Sequence, residues 1–294
     1  MQIKRKFVPG EEWIFLKIYG GPKLLERLVV DEVFPLLEDM IGREDIQHYF
    51  FIRYADPEYH IRLRIYNQDP MANYRVMEAL TEALCGKVRD RSISRITYDT
   101  YHREIERYGI RSMEAAEQWF YLDSAALLSF FRETDSSNAF RWLYAMYWID
   151  HLMDAFQFSE DHKAVFYESR FQNYAREQNL QKPARVVMDK KYRKVSSQID
   201  QMFLSRGEEN IIQIIATGVH TLSRRSERLV DKILDLQSSG ILEIELESFV
   251  SSLIHMHVNR MYRTRPRVYE MLIYYFLNKF HKSRVARARY SVDS

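Results

Sequence analysis

The chain is predicted to fold as an α+β protein, with a ferredoxin-like antiparallel sheet half packed directly on a mainly α-helical half. Three observations carry that expectation. Up to residue 110 the patterning switches between period two and helical spacing in the order strand, helix, strand, strand, helix, strand. After Gly109 apolar residues recur every three to four positions. Helix breakers are scarce, with 9 Gly and 7 Pro in 294 residues, so long helices are expected.

Taken in order, Trp13 to Tyr19 alternates apolar and polar residues and reads as a strand. Gly20, Gly21 and Pro22 break it, and Leu24 to Met40 carries apolar residues at helical spacing. Gln47 to Tyr54 is β-branched and aromatic, Asp56 and Pro57 make a turn, and His60 to Tyr66 alternates strictly, which predicts a hairpin. Asp69 and Pro70 open a helix to about Val88, and Ile93 to Tyr101 alternates again. Helices are then predicted over Met113 to Phe131, Ala139 to Phe156, Lys190 to Ser205, Ile211 to Ser238 and Glu243 to Met261. No fixed-period repeat and no Gly/Ser or Pro-rich linker separates residues 1–110 from 111–294, so the two halves are expected to form one integrated domain with a cleft between them for a site.

Composition narrows the function. A 46% hydrophobic content supplies a normal core, and 43 Lys plus Arg nearly balance 41 Asp plus Glu, so no global field marks a nucleic-acid or membrane-surface protein. The 20 Tyr and 17 Phe are expected to pack at helix spacing rather than stack on bases. A single cysteine, Cys85, forms no internal disulfide and is read as a buried structural residue. No signal peptide and no stretch near the roughly 18 apolar residues of a membrane span is seen, so a cytoplasmic protein without membrane insertion is expected. The basic end, Lys279 to Arg289, reads as a solvated tail, and stable nucleic-acid binding is not expected. There is no phosphate loop, nucleophile elbow or Cys-x-x-Cys.

Three segments could carry chemistry. In His60-Ile61-Arg62-Leu63-Arg64, alternation puts His60, Arg62 and Arg64 on one strand face at roughly 7 Å spacing, with Ile61, Leu63 and Ile65 on the other. That row is either a solvated outer face or an anion site able to hold a carboxylate and stabilise enolate charge. Tyr101 to Gly109 carries alternating charges, either a surface segment or a support that fixes Arg107 beside the Gly109 turn. In Ser251 to Arg260, His255 aligns with Ser251, Ser252 and Asn259 on a polar stripe suited to a general base. His257 aligns with Ile254 and Met261 and reads as a core histidine. Two residues apart, the histidines make no paired metal site.

Together with Tyr49-Phe50-Phe51-Ile52-Arg53-Tyr54, Ala116-Glu117 and Asp123-Ser124, these segments resemble the C-terminal glutamate-elimination domain of lantibiotic dehydratases and its stand-alone thiopeptide-type bacteriocin biosynthesis relatives. The ordered matches run from Trp13 to Arg260. Two departures stand out: Ile110 where the family usually has a second glycine, and Arg263 where it often has glycine. The resemblance implies a lyase needing neither metal nor organic cofactor. It would complete Ser/Thr dehydration on a ribosomal precursor peptide already glutamylated, from glutamyl-tRNA, by a separate dehydratase subunit. It further implies Arg62, Arg64, Arg107 and His255 as catalytic residues, with His60, Arg53, Asn259 and Arg260 binding substrate. A pyridine synthase joining two dehydroalanines, and an idle peptide-binding partner of the glutamylating enzyme, are the other readings. Association of copies stays open.

Overall fold

A computed structural model describes residues 3–204 and 210–292, with side chains through Arg284. The expected end of a helix at Ser205, and the side chains of the basic segment beyond Arg284, lie outside the described residues. The order of elements in the sheet part is β2 (Trp13–Gly20), a helical stretch, β3 (His48–Tyr54), β4 (His60–Tyr66), α3 (Asn73–Arg89) and β5 (Ile93–Tyr98). The four strands lie in the order β3-β4-β2-β5 with every neighbour antiparallel, which is the ferredoxin-like arrangement. A two-stranded ribbon of β1 (Lys6–Phe7) and β6 (Tyr101–His102) accompanies it.

Within the sheet part, two elements depart from the sequence reading. The single helix expected over Leu24 to Met40 is α1 (Pro22–Leu28) and α2 (Phe34–Gly42) joined by a five-residue π turn, Val29–Val33. Pro35 has no N–H to give the carbonyl four residues back, and the widened turn absorbs that loss. The strand expected to run to Tyr101 stops at Tyr98. The Asp99 N–H still reaches the Phe15 carbonyl at 2.9 Å, but its Oδ1 accepts the Thr100 N–H at 2.7 Å and the chain leaves the sheet. Tyr101 then pairs with Phe7 in the ribbon.

The chain forms two compact units. The first holds residues Met1–Ser136 and Arg228–Thr264, so the sheet shares it with α4 (Ile105–Tyr108), α5 (Met113–Glu133) and α10 (Leu246–Met261). One sheet face carries Ile14, Leu16, Ile18, Ile61, Leu63 and Ile65, all buried, with α1 and α3 against the sheet. The other face receives Trp13, Phe50 and Tyr101, whose rings meet at 4.9–6.2 Å. Phe120 of α5 joins them at 5.2 Å from Phe50.

The second unit, Ser137–Glu227 with Arg265–Ser294, is helical: α6 (Arg141–Ala155), α7 (Glu160–Glu177), α8 (Lys182–Phe203), the first part of α9 (Asn210–Ser238), and α11 (Pro266–Val292). Helix α8 begins well before the expected Lys190 because Pro183 suits a first turn, where no N–H is needed. In its core, Asp150 accepts from Lys163 and Tyr167 at 3.2 Å each and meets the His281 ring at 2.7 Å, tying α6, α7 and α11 together.

Candidate functional site

The β2 to β4 register places Lys17 opposite Arg62, Phe15 opposite Arg64 and Tyr19 opposite His60, so these six side chains share one sheet face as the alternation requires. His60 is buried, with Nδ1 2.8 Å from the Glu58 carbonyl. A carbonyl only accepts, so Nδ1 carries the proton and Nε2 accepts from Arg62 Nε at 3.1 Å. Burial holds this imidazole below its ordinary pKa, and Arg62, Lys17 and Arg95 push the same way against the Glu58 contact. The ring is a neutral acceptor that orients Arg62. The Arg62 guanidinium also lies 3.5 Å from the Tyr54 ring centroid, and among the described residues no carboxylate pairs with it.

Arg64 is 7% exposed. Its guanidinium sits 4.5, 4.8 and 5.2 Å from the ring centres of Phe15, Tyr101 and Phe50, and its buried Nε has no hydrogen-bond partner. Among the described residues no carboxylate pairs with it. Burial pulls its pKa below the usual arginine value, the sign of a charge held without full compensation. Rings on several sides offset part of the lost hydration. Chemically, a dry cation with no acid of its own suits an incoming anion.

Arg53, Asn259 and Arg260 meet elsewhere, at the outer edge of β3. The Asn259 carboxamide accepts from the Arg53 N–H and donates to the Arg53 carbonyl, both at 2.9 Å, as a neighbouring strand would. Arg260 Nε donates to the Phe51 carbonyl at 2.9 Å, and the Phe51 N–H reaches Ser124 Oγ at 3.4 Å. Arg53 in turn donates to the Arg260 carbonyl at 2.8 Å and to Glu26 at 2.7 Å. Asp123, also buried, accepts from Arg260 Nη1 at 2.9 Å and lies 2.7 Å from His257 Nδ1. His257 is fully buried and His255 half-buried, as their helix faces predict. His255 stands one turn before Asn259 on α10.

In the Tyr101–Gly109 segment the buried arginine is Arg103, bound by two bonds to Glu117 at 2.8 and 2.7 Å. Arg107 is partly exposed and 3.4 Å from Glu104. Gly109 has φ of +79°, and a Cβ there would come 2.8 Å from Glu243 and 2.9 Å from Ser112, so glycine is required. Of the two departures, Ile110 is exposed and Arg263 reaches Glu26 at 3.3 Å.

Sequence reasoning missed Lys17 and Arg95, which join the cationic face only through strand pairing. Arg95 lies 4.0 Å from the Tyr19 ring centre. Cys85, expected to be buried, is partly exposed on α3, because its stretch of helix turns toward solvent. A concavity of about 450 Å³ lined by Lys23, Leu24, Arg27, Leu28, Asp31, Glu32, Lys87 and Ser92 includes none of the candidate residues. Among the described residues no group of three or more His, Cys, Asp or Glu could hold a metal ion, and no helix is long and apolar enough to cross a membrane.

The chain is similar to known proteins over most of its length. The subtilin biosynthesis protein SpaB of Bacillus subtilis is 28% identical over 260 residues, 87% of this chain, and the nisin biosynthesis protein NisB of Lactococcus lactis subsp. lactis is 25% identical over 286 residues, 95% of it. The chain spans about a quarter of their length, 24% and 26%. In fold it resembles the tRNA-dependent lantibiotic dehydratase MibB from Microbispora sp. 107891, with TM-score 0.74 and 18% identity over 98% of this chain and 29% of MibB. It also resembles TsrL, with TM-score 0.68 and 15% identity over 92% of this chain and 95% of TsrL. The pyridine synthase TbtD from thiomuracin biosynthesis gives 0.66 and 15% over 93% and 98%. Residues 13–281 match the family described as the lantibiotic biosynthesis dehydratase C-terminal region, and the chain belongs to that family.

Proposed function

We propose that this chain is a lyase that eliminates glutamate from glutamylated Ser or Thr of a ribosomal precursor peptide, leaving dehydroalanine or dehydrobutyrine. The observation that carries this reading is Arg64, buried among rings with no acid of its own, beside Arg62 on the same sheet face. A base removes the α-proton of the esterified residue, and the electron pair forms the Cα–Cβ double bond as the Cβ–O bond breaks. Glutamate departs as a carboxylate carrying the former side-chain oxygen. Arg62 and Arg64 stabilise the enolate and the departing carboxylate, with His60 orienting Arg62. His255, on the polar stripe of α10, is the base, and Arg107 is a further cation for the substrate. Arg53, Asn259 and Arg260 enter as positioning residues, because they already bond within the chain at the β3 edge. The ester is made by a separate glutamyl-tRNA-dependent subunit.

Mass spectrometry of a precursor peptide coexpressed with that subunit and this chain tests the reading. Wild type is expected to yield dehydrated peptide. His255→Ala should accumulate glutamylated peptide, with elimination slower by on the order of 10²-fold at near-normal melting temperature. His257→Ala should instead melt earlier, because Asp123 loses a buried partner. Accumulation of unmodified peptide would point to a binding role upstream of the chemistry. A second reading, cycloaddition of dehydroalanines, draws on the likeness to TbtD, whose length this chain nearly covers. A macrocycle formed from an already dehydrated peptide would favour it.

A further inference from the structure

We propose that the Lys17–Asp99 pair beside Arg62 reads the esterifying amino acid as glutamate, with Lys17 and Arg62 holding its side-chain carboxylate and Asp99 its α-ammonium. The inference deepens the elimination reading and rests on it for the identity of the ligand.

Lys17 and Arg62 are direct partners across β2 and β4 and project from the same face. Two like charges in that position oppose each other, and a sheet gains nothing by placing them there. Arg62 brings no acid. Its Nε is committed to His60 and its plane to Tyr54, which leaves the outer edge of the guanidinium as a fork. Lys17 is ion-paired to Asp99, which stands where the chain leaves β5. Their side chains are 20% and 44% exposed, so a ligand can reach both. The Asp99 carboxyl lies below its ordinary range, with Lys17 the main cause and Arg62 adding to it. The other cation of the face, Arg95, is occupied by the Tyr19 ring and Glu58.

Two cations and one anion in a row match a ligand with one carboxylate and one ammonium on a short chain. A glutamyl ester is such a ligand, since its α-carboxyl is used in the ester while its amine and side-chain carboxyl stay charged. A glutaminyl ester would bring Lys17 and Arg62 no carboxylate to replace the Asp99 contact that its ammonium draws on. Arg64, drier and one row along the strand, stays available for the reacting carboxyl.

The test uses the full chain in two measurements. Titration with free L-glutamate, L-glutamine and glutarate, followed by NMR, is expected to show L-glutamate binding at least tenfold more tightly than L-glutamine and perturbing the Lys17 and Asp99 signals. Lys17→Gln should remove that preference, Lys17→Arg should keep most of it, and Asp99→Asn should bring L-glutamate level with glutarate. Elimination from one peptide carrying a glutamyl or a glutaminyl ester should follow the same order. Equal binding of L-glutamate and L-glutamine by wild type, or a preference untouched in Lys17→Gln, would overturn the subsite. Should Lys17→Gln not fold, the wild-type titration and Lys17→Arg decide. Selective glutamate binding without elimination would sink the enzymatic reading alone, and elimination without selectivity would sink the subsite alone.

Discussion

The sheet keeps two kinds of arginine. At the β3 edge and its surroundings, Arg53, Arg103 and Arg260 are buried against Glu26, Glu117 and Asp123 respectively. On the cationic face, Arg64 is as deeply placed but among the described residues meets rings and pairs with no carboxylate, and Arg62 meets a ring and a neutral histidine. A buried guanidinium costs several kcal/mol of hydration, which a well-placed acid returns and ring contacts return only in part. The first group closes on itself and fixes the fold, whereas the second carries charge that no carboxylate of the described residues pairs with.

Removing a partner from the closed group should do the most damage. Arg260→Ala leaves Asp123 buried with one cation fewer and strips the Phe51 carbonyl, and should cost about 3–5 kcal/mol in denaturant unfolding. A cost below about 1 kcal/mol would mean the two groups do not differ in kind. Arg64→Met should reverse the pattern, with stability within about 1 kcal/mol of wild type or higher, because no acid is stranded. Elimination should fall on the order of 10²-fold. Strong destabilisation of that variant would place Arg64 with the structural arginines.

Asn259→Ala removes two bonds to the Arg53 backbone and should cost about 1–2 kcal/mol, with faster amide exchange at Arg53 as the local readout. The gentlest test is pH. His48, at the far end of the cationic face, stacks 4.7 Å from Tyr66, and burial lowers its pKa to about 4 from 6.5. Below pH 6.5 the unfolded chain takes up a proton the folded chain refuses, so stability should fall by about 1 kcal/mol per pH unit down to about 4. His48→Gln should flatten that slope, and an unchanged slope would assign it to other groups.

Much of this was legible in the sequence. Strict alternation in His60–Tyr66 put the three polar residues on one face, and the positions around His255 and His257 sorted the half-buried ring from the buried one. What alternation could not say is which arginine of the row is dry. Arg64 is covered by Tyr101, which reaches it because the chain breaks at Asp99 and pairs with Phe7, a two-residue ribbon too short to leave a periodic signal. Asn259 showed its polar stripe but not its partner 206 residues away. Lys17 sits in an apolar strand and acquires meaning only through its register with Arg62.

The carboxamide of Asn259 also sets a phase. Because it grips both backbone groups of Arg53, helix α10 is indexed to strand β3 like a gear held at one tooth, and His255 lies four residues back on the same side. One residue inserted between His255 and Asn259 would swing the imidazole by about 100° and move it about 1.5 Å along the axis while the grip held. Four inserted residues would return it to within about 40° of its direction but a full turn away. The angular position of the proposed base is therefore an arithmetic property of the spacing between two residues, and it can be read by how elimination varies with the length of that insert.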